Sequence, residues 1–377
     1  MSGSPASSEK KTAASLAAEI RAVMKRIGRS VKIMEVCGTH TVELRKQGVL
    51  WLLPPEITLV SGPGCPVCVT PTGYIDNALG LAAGGEALVA SFGDMLRVPG
   101  SSGDALAAHM GGGRVRIVYS PSELAGLAAN EKRAVVFLGI GFETTIPAVL
   151  AAFKSAIGQG IKNLFLYPAF KLIPPALRLL AADPGRGIDG FLLPGHVSVI
   201  IGPEAYSFLE EPGGLPGVIT GFDGVEMLLG ILMLLCRIER GERGVENAYP
   251  HVVRPGGNPR ALALMNEMLE PGNALWRGLG VIPGSGGRLK PELAGIDAEK
   301  HFGLPETSDR DDPRCLCRKL IMGESLPTDC PLFSVRCTPD DPVGPCMVSS
   351  EGTCAAYLRY SIPRDARIGA GRAGGPG

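Results

Sequence analysis

From residue 31 to about residue 240, short oily runs of strand type alternate with helical stretches, and most of the runs end in glycine beside a chemically active side chain. No other feature constrains the fold as strongly. Strands that are apolar on both faces need helices on both sides, so the pattern predicts parallel sheets. Strands are expected at 31–36, 57–61, 87–92, 115–119, 134–140, 163–167, 190–193 and 217–220. Helices are expected at 15–27, 41–47, 74–83, 104–110, 146–157, 174–182, 225–238 and 259–269. The fold class is therefore α/β, with two consecutive parallel-sheet domains that meet near residue 130.

The chain has 377 residues, 45% of them hydrophobic, enough for two or three packed domains. Lys plus Arg and Asp plus Glu are both 37. A neutral chain without a basic block argues against nucleic acid and against a basic membrane-surface patch. The longest oily run, near 225–236, is broken by Glu226 and Gly230 and is shorter than the roughly 20 apolar residues of a membrane span. The first 15 residues lack the apolar stretch of a signal peptide, so a cytoplasmic location is expected.

The ten cysteines are unevenly placed. Cys37, Cys65 and Cys68 lie near the start, and Cys236 is alone in an oily run, where it reads as a small buried hydrophobe. Cys315, Cys317, Cys330, Cys337, Cys346 and Cys354 crowd a polar, turn-rich end with little apolar periodicity. Such a segment is often held together by a metal or cluster. Cys330, Cys337, Cys346 and Cys354 are separated by six, eight and seven residues. Four thiolates suit a [4Fe-4S] cube or a tetrahedral zinc ion, and these wide spacings favour the cluster. Cys315 and Cys317 read as a replacement ligand, a redox pair beside the cluster, or plain loop cysteines.

The candidate working site is at the other end. Cys37 and His40 follow one expected strand, and Cys65 and Cys68 follow the next. Groups beyond the carboxyl ends of parallel strands converge on the ligand crevice. Gly62, Gly64 and Gly73 would let backbone approach a ligand there. Cys-Pro-Val-Cys alone suits a thioredoxin-like redox pair, while Cys37 and His40 beside it suit a soft-metal or thiol-transfer site. Glu143, Thr144 and Thr145 end a third strand, where the carboxylate can hold a metal or a proton and the hydroxyls can cap a helix. His196 follows the strand at 190–193, and Asp94 and Arg97 end another. A complete Gly-x-Gly-x-x-Gly and a Gly-Lys-Ser/Thr phosphate loop are both absent, which argues against ordinary nucleotide binding.

Taken together, these residues resemble the hydrogenase maturation factor HypD family. The likeness runs through Cys37-Gly38-Thr39-His40, Gly62-Pro63-Gly64-Cys65-Pro66-Val67-Cys68, Gly141-Phe142-Glu143-Thr144-Thr145 and Pro194-Gly195-His196-Val197-Ser198. It ends in Cys330-Pro331-Leu332-Phe333, Cys337-Thr338-Pro339 and the stretch from Gly344 to Cys354, while after Cys315-Leu316-Cys317 the chain has Arg318 where the family leads one to expect a glycine. The resemblance implies a scaffold and redox accessory protein for assembly of the Fe(CN)2CO group of [NiFe] hydrogenase, rather than a conventional turnover enzyme. Implied partners are a small chaperone of the HypC type and a cyanide donor of the HypE type. Implied roles are Cys37 with Cys65 or Cys68 on the nascent iron, and His40 and Glu143 close by as proton-handling groups. Cys330, Cys337, Cys346 and Cys354 would hold a [4Fe-4S] cluster, and Cys65 and Cys68 would pass between dithiol and disulfide. The competing function is an iron–sulphur protein disulfide reductase of the ferredoxin–thioredoxin reductase type. The expected organisation is a 1–30 extension and helix packed on the C-terminal part, α/β domains at 31–130 and 131–250, a cluster domain at 251–364 and a disordered tail at 365–377.

Overall fold

The structure is a computed structural model that describes residues 5–360, with side chains from residue 9 onward. The expected tail at 365–377 lies outside the described residues. The strands are β1 (Val31–Glu35), β2 (Ile57–Ser61), β3 (Ala87–Ser91), β4 (Val115–Ile117), β5 (Ala134–Gly141), β6 (Leu164–Phe170), β7 (Gly190–Pro194), β8 (Pro216–Thr220), β9 (Gly244–Asn247), β10 (Leu269–Trp276) and β11 (Gly280–Leu289).

They form two parallel sheets, ordered β2-β1-β7-β8-β9 and β4-β3-β5-β6, and an antiparallel hairpin of β10 and β11. Val135, Val136, Phe137 and Leu138 along β5 are all buried, as a strand covered on both faces requires. The sheets are interleaved along the chain rather than consecutive. The expected break near residue 130 falls between β4 and β5, two strands of one sheet, while β1 and β2 pair into a sheet completed by β7, β8 and β9. Strand periodicity carries no information on which sheet a strand joins.

The helix Pro5–Ile27 packs on the helix Gly224–Arg240, not on the C-terminal part as expected. Ile20, Val23 and Met24 interlock there with Met227, Leu228 and Ile231. Asp223 and Glu226 form a reciprocal capping box at the start of Gly224–Arg240, and Gly241 ends it in the left-handed region. The stretch expected as a helix at 104–110 holds only a 3-10 turn, Leu106–His109, between Gly103 and the Gly111–Gly113 run, which favour turns. Among the described residues no helix is long and apolar enough to cross a membrane.

Candidate functional site: sulphur centres across a crevice

In the larger sheet the chain steps from β1 outward to β2, then returns to β7 on the other side of β1. Connections leave in opposite directions at such a reversal and open a crevice beyond the strand ends. Cys37 and His40 follow β1, and His196 follows β7, so these residues flank that crevice.

Cys37 sits at the N-terminal cap of the helix Gly38–Lys46 and keeps part of its surface exposed. Enclosure by protein pushes its thiol up to about 11, and the Glu351 carboxylate adds to the rise. The N–H groups of Thr39 and His40 pull the other way, although none makes a full cap hydrogen bond. A bound cation would add what the thiolate lacks here, a neighbouring positive charge.

The Cys65–Cys68 loop touches Cys37 through backbone. Gly38 N–H donates to Gly64 O at 3.1 Å. A Cβ on Gly64 would meet the Cys37 Cα at 2.6 Å, so only glycine fits. At Gly73 the close neighbour is Ser308. The glycines expected to admit a ligand therefore admit neighbouring protein chain. Cys65 and Cys68 form a disulfide at the first turn of the Pro66–Val69 helix, which packs against β5 of the second sheet.

His40 is fully buried. Its Nε2 lies 2.9 Å from Gly221 O, and a carbonyl only accepts, so Nε2 carries the proton. Burial lowers the ring to about 4, which keeps it neutral and leaves Nδ1 a buried lone pair with no partner. Phe222, just beyond β8, stacks between His40 at 4.6 Å and the exposed His196 at 3.9 Å. Phe222 was not singled out in the sequence, although it stands in a strand-end position like the other motifs.

Glu143 is buried beyond β5. Its Oε1 accepts from Ile173 N–H at 2.9 Å, and its Oε2 has no partner. Burial pushes its carboxyl up to about 7. Tyr206 is fully buried with its hydroxyl 3.2 Å from Ser198 Oγ; burial raises the phenol well above its usual value, and the charges of Glu143 and Cys37 add to the rise. Thr144 is exposed. Thr145 caps the helix Ile146–Gly158 by position, without a side-chain cap hydrogen bond.

Glu143→Gln keeps the acceptor for Ile173 N–H and removes the titration. A carboxyl raised in the folded state contributes stability below its unfolded value, about 4.3, and loses it as pH climbs through about 7. The variant should gain on the parent between those values and hold a constant lead above them, on the order of 3 kcal/mol. Denaturation midpoints at pH 5 and pH 8 measure this, and a lead that does not change with pH would contradict it.

All six C-terminal cysteines line one small cavity with an apolar wall. Cys346 is joined to Cys317, which leaves Cys315, Cys330, Cys337 and Cys354 as free thiols around that cavity. Among the described residues no group of three or more His, Cys, Asp and Glu side chains stands ready to hold a metal ion. The surroundings nonetheless suit a bulky soft centre. Thiols are the donors, the wall is apolar, and Gly344 leaves a cradle where a Cβ would meet Cys315 Sγ at 2.8 Å.

The loop from Pro345 to Glu351 joins this end to the crevice. Cys68 Sγ lies 4.0 Å from Pro345 O, Arg97 Nη2 donates to Val348 O at 3.0 Å, and Thr39 Oγ1 donates to Glu351 Oε1 at 2.9 Å. Glu351 lies within the stretch that carries the family resemblance, but its residue type alone gave no sign that it would reach Cys37.

A sequence model described as "HypD: Hydrogenase formation hypA family" matches residues 11–361. The hydrogenase maturation factor HypD of Escherichia coli K12 is 42% identical over 334 residues, covering 88% of this chain and 90% of the relative. That of Rhizobium leguminosarum bv. viciae is 40% identical over 346 residues, covering 89% and 90%. That of Azotobacter vinelandii is 40% identical over 352 residues, covering 91% and 93%.

Proposed function

The chain belongs to the HypD family, and on that premise we propose that it acts in [NiFe] hydrogenase maturation as the scaffold on which the Fe(CN)2CO group is assembled. The observation that carries the proposal is the backbone contact between Cys37 and the Cys65–Cys68 loop, at the mouth of a strand-reversal crevice. A thiol, a disulfide and a neutral imidazole with a free lone pair meet there, which suits a soft, low-spin iron in transit. Iron is the cargo, held by the Cys37 thiolate together with a small chaperone of the HypC type. Cyanide arrives from a donor of the HypE type. His40 Nδ1, neutral in the folded chain, accepts protons, and Glu143, whose carboxyl burial pushes up to about 7, accepts or returns them near neutral pH. An external dithiol reductant supplies two electrons, with two protons, to open the Cys65–Cys68 bond to two thiols, and one of them loses its proton as it joins Cys37 on the iron.

Cys330, Cys337, Cys346 and Cys354, which line one cavity with Cys315 and Cys317, would hold a resident [4Fe-4S] cluster, a source of single electrons when bound. The setting would be the cytoplasm, where free thiols persist.

The test is the infrared spectrum of the protein purified without air together with its small partner, alongside iron and sulphide content. Bands of metal-bound cyanide and carbonyl, with about four irons and four sulphides per chain beyond the cargo iron, are expected. Cluster iron without those bands, even after the cyanide donor is supplied, would instead favour a disulfide reductase acting through Cys65 and Cys68.

A further inference from the structure

The second sheet also reverses its strand order, and no ligand has been assigned to the cavity at that crevice. The chain leaves β3 for β4 on one side and returns to β5 on the other. Beyond the ends of β3 and β5 lies a cavity of about 320 Å³, within the size range of small-molecule sites. Phe92, Ile140 and Val67 give it apolar walls, and Asp94, Glu351 and Thr145 bring polar groups.

The two carboxylates are only half used. Asp94 Oδ2 accepts from Ser350 N–H at 3.1 Å and from its hydroxyl at 3.2 Å, and Glu351 Oε1 accepts from Thr39. Among the described residues no protein donor meets the second oxygen of either, and neither forms an ion pair. Arg97, three residues beyond Asp94, gives its Nη2 to Val348 O instead. Burial, and to a lesser degree the neighbouring Asp94 charge, holds the Glu351 carboxyl above its usual range. The start of the helix Ile146–Gly158 offsets this by about half a positive charge, well short of two full negative ones.

We propose that this cavity binds an organic cation of the guanidinium type, its N–H groups spread over the free oxygens of Asp94 and Glu351. Its stem lies on Phe92, Ile140 and Val67. A planar, delocalised cation with five donors serves carboxylates from two separate segments and is weakly hydrated enough to enter an apolar-walled site, where a compact ammonium is not. Such a group comes either as a free small molecule or as an arginine side chain presented by another protein. The site shares Glu351 and Val67 with the surroundings of Cys37 and the Cys65–Cys68 pair but uses none of those sulphurs, so cation binding is read without iron or cluster present.

Met95 also lines the cavity and supplies the probe. The full chain, purified without air and labelled at its methionine methyls, is titrated with L-arginine amide, with the neutral isostere L-citrulline amide, and with a capped Ala-Arg-Ala tripeptide. A saturable shift of the Met95 methyl is expected with both arginine probes and none with citrulline amide. Asp94→Asn and Glu351→Gln should each weaken binding by about tenfold, the loss of one charge-assisted contact. Thr145→Val, which leaves the Ser350 loop untouched, should weaken it severalfold. Tighter binding of the tripeptide assigns the site to a protein arginine, and equal or tighter binding of the free amide assigns it to a small molecule. Citrulline amide binding as well as arginine amide, parental affinity in both carboxylate variants, or no saturable shift with any probe overturns the proposal.

Discussion

Cys37→Ala is expected to abolish hydrogenase maturation while leaving the fold and the C-terminal iron–sulphur content intact. Cys37 is partly exposed, forms no disulfide and packs no core, so its sulphur adds little to stability. It is also the one free thiol that the start of a helix and the Gly64 loop hold at the mouth of the crevice. Residues that merely orient metal ligands are often worth roughly 10–100-fold, so loss of a ligand itself should cost at least about a hundredfold. Hydrogenase activity in cells that depend on this chain measures the effect, with melting temperature and sulphide content as controls. Cys236→Ala is the matched control, because Cys236 lies half-exposed on the outer helix Gly224–Arg240. Parental maturation by Cys37→Ala would end the view that this thiol holds the iron. A parallel loss of sulphide would mean that the two sulphur centres are one structural unit.

The strands themselves were legible because each pairs an oily run with a strand-end glycine or turn. The run at 57–61 matches β2 residue for residue, and that at 134–140 is one short of β5. β9 (Gly244–Asn247) was missed, since it is a four-residue edge strand with a mostly half-buried pattern. The division into sheets was not legible. Joining β1 to β7 depends on the contact of Ile33, Met34 and Glu35 with Gly190, Phe191 and Leu192, more than 150 residues away, and local periodicity does not record such pairings.

The same limit governs the site. Cys37, His40, Cys65 and Cys68 were legible as strand-end groups of the kind that meet in a crevice. Phe222 was not, because a lone aromatic after a strand reads as core until its two histidine neighbours are seen. Spacing singled out Cys330, Cys337, Cys346 and Cys354 but not their neighbours Cys315 and Cys317. All six C-terminal cysteines reach one cavity, where Cys317 pairs with Cys346 across 29 residues, a contact that spacing does not record. Thr144 and Thr145 are interchangeable in sequence, but the helix register leaves Thr144 exposed and sets Thr145 on the second crevice.

Arg45→Ala should be the most destabilising single change near the site, at about 3–5 kcal/mol. Glu35 ends β1 two residues before Cys37 and is completely buried. Its Oε1 accepts from Ser61, which ends β2, and faces Arg45 Nη1 at 3.6 Å. Arg45 in turn donates to Thr41 O at 2.8 Å and lies over the Tyr357 ring at 4.0 Å. Tyr357 belongs to the helix Thr353–Tyr360, which carries Cys354. One guanidinium therefore ties the ends of β1 and β2, the Cys37 helix and the helix that carries Cys354. Removing it leaves a buried carboxylate with no positive partner, which costs more than the pair contributes. Glu35→Gln combined with Arg45→Met removes both charges and keeps the volume, so it should recover most of the loss. Denaturation midpoints of the two single variants and the double variant decide the matter. A double variant as unstable as Arg45→Ala would place the cost in lost packing on Tyr357 rather than in the stranded charge. If the double variant is stable yet fails to mature hydrogenase, the buried pair serves to hold the Cys37 and Cys354 helices in register.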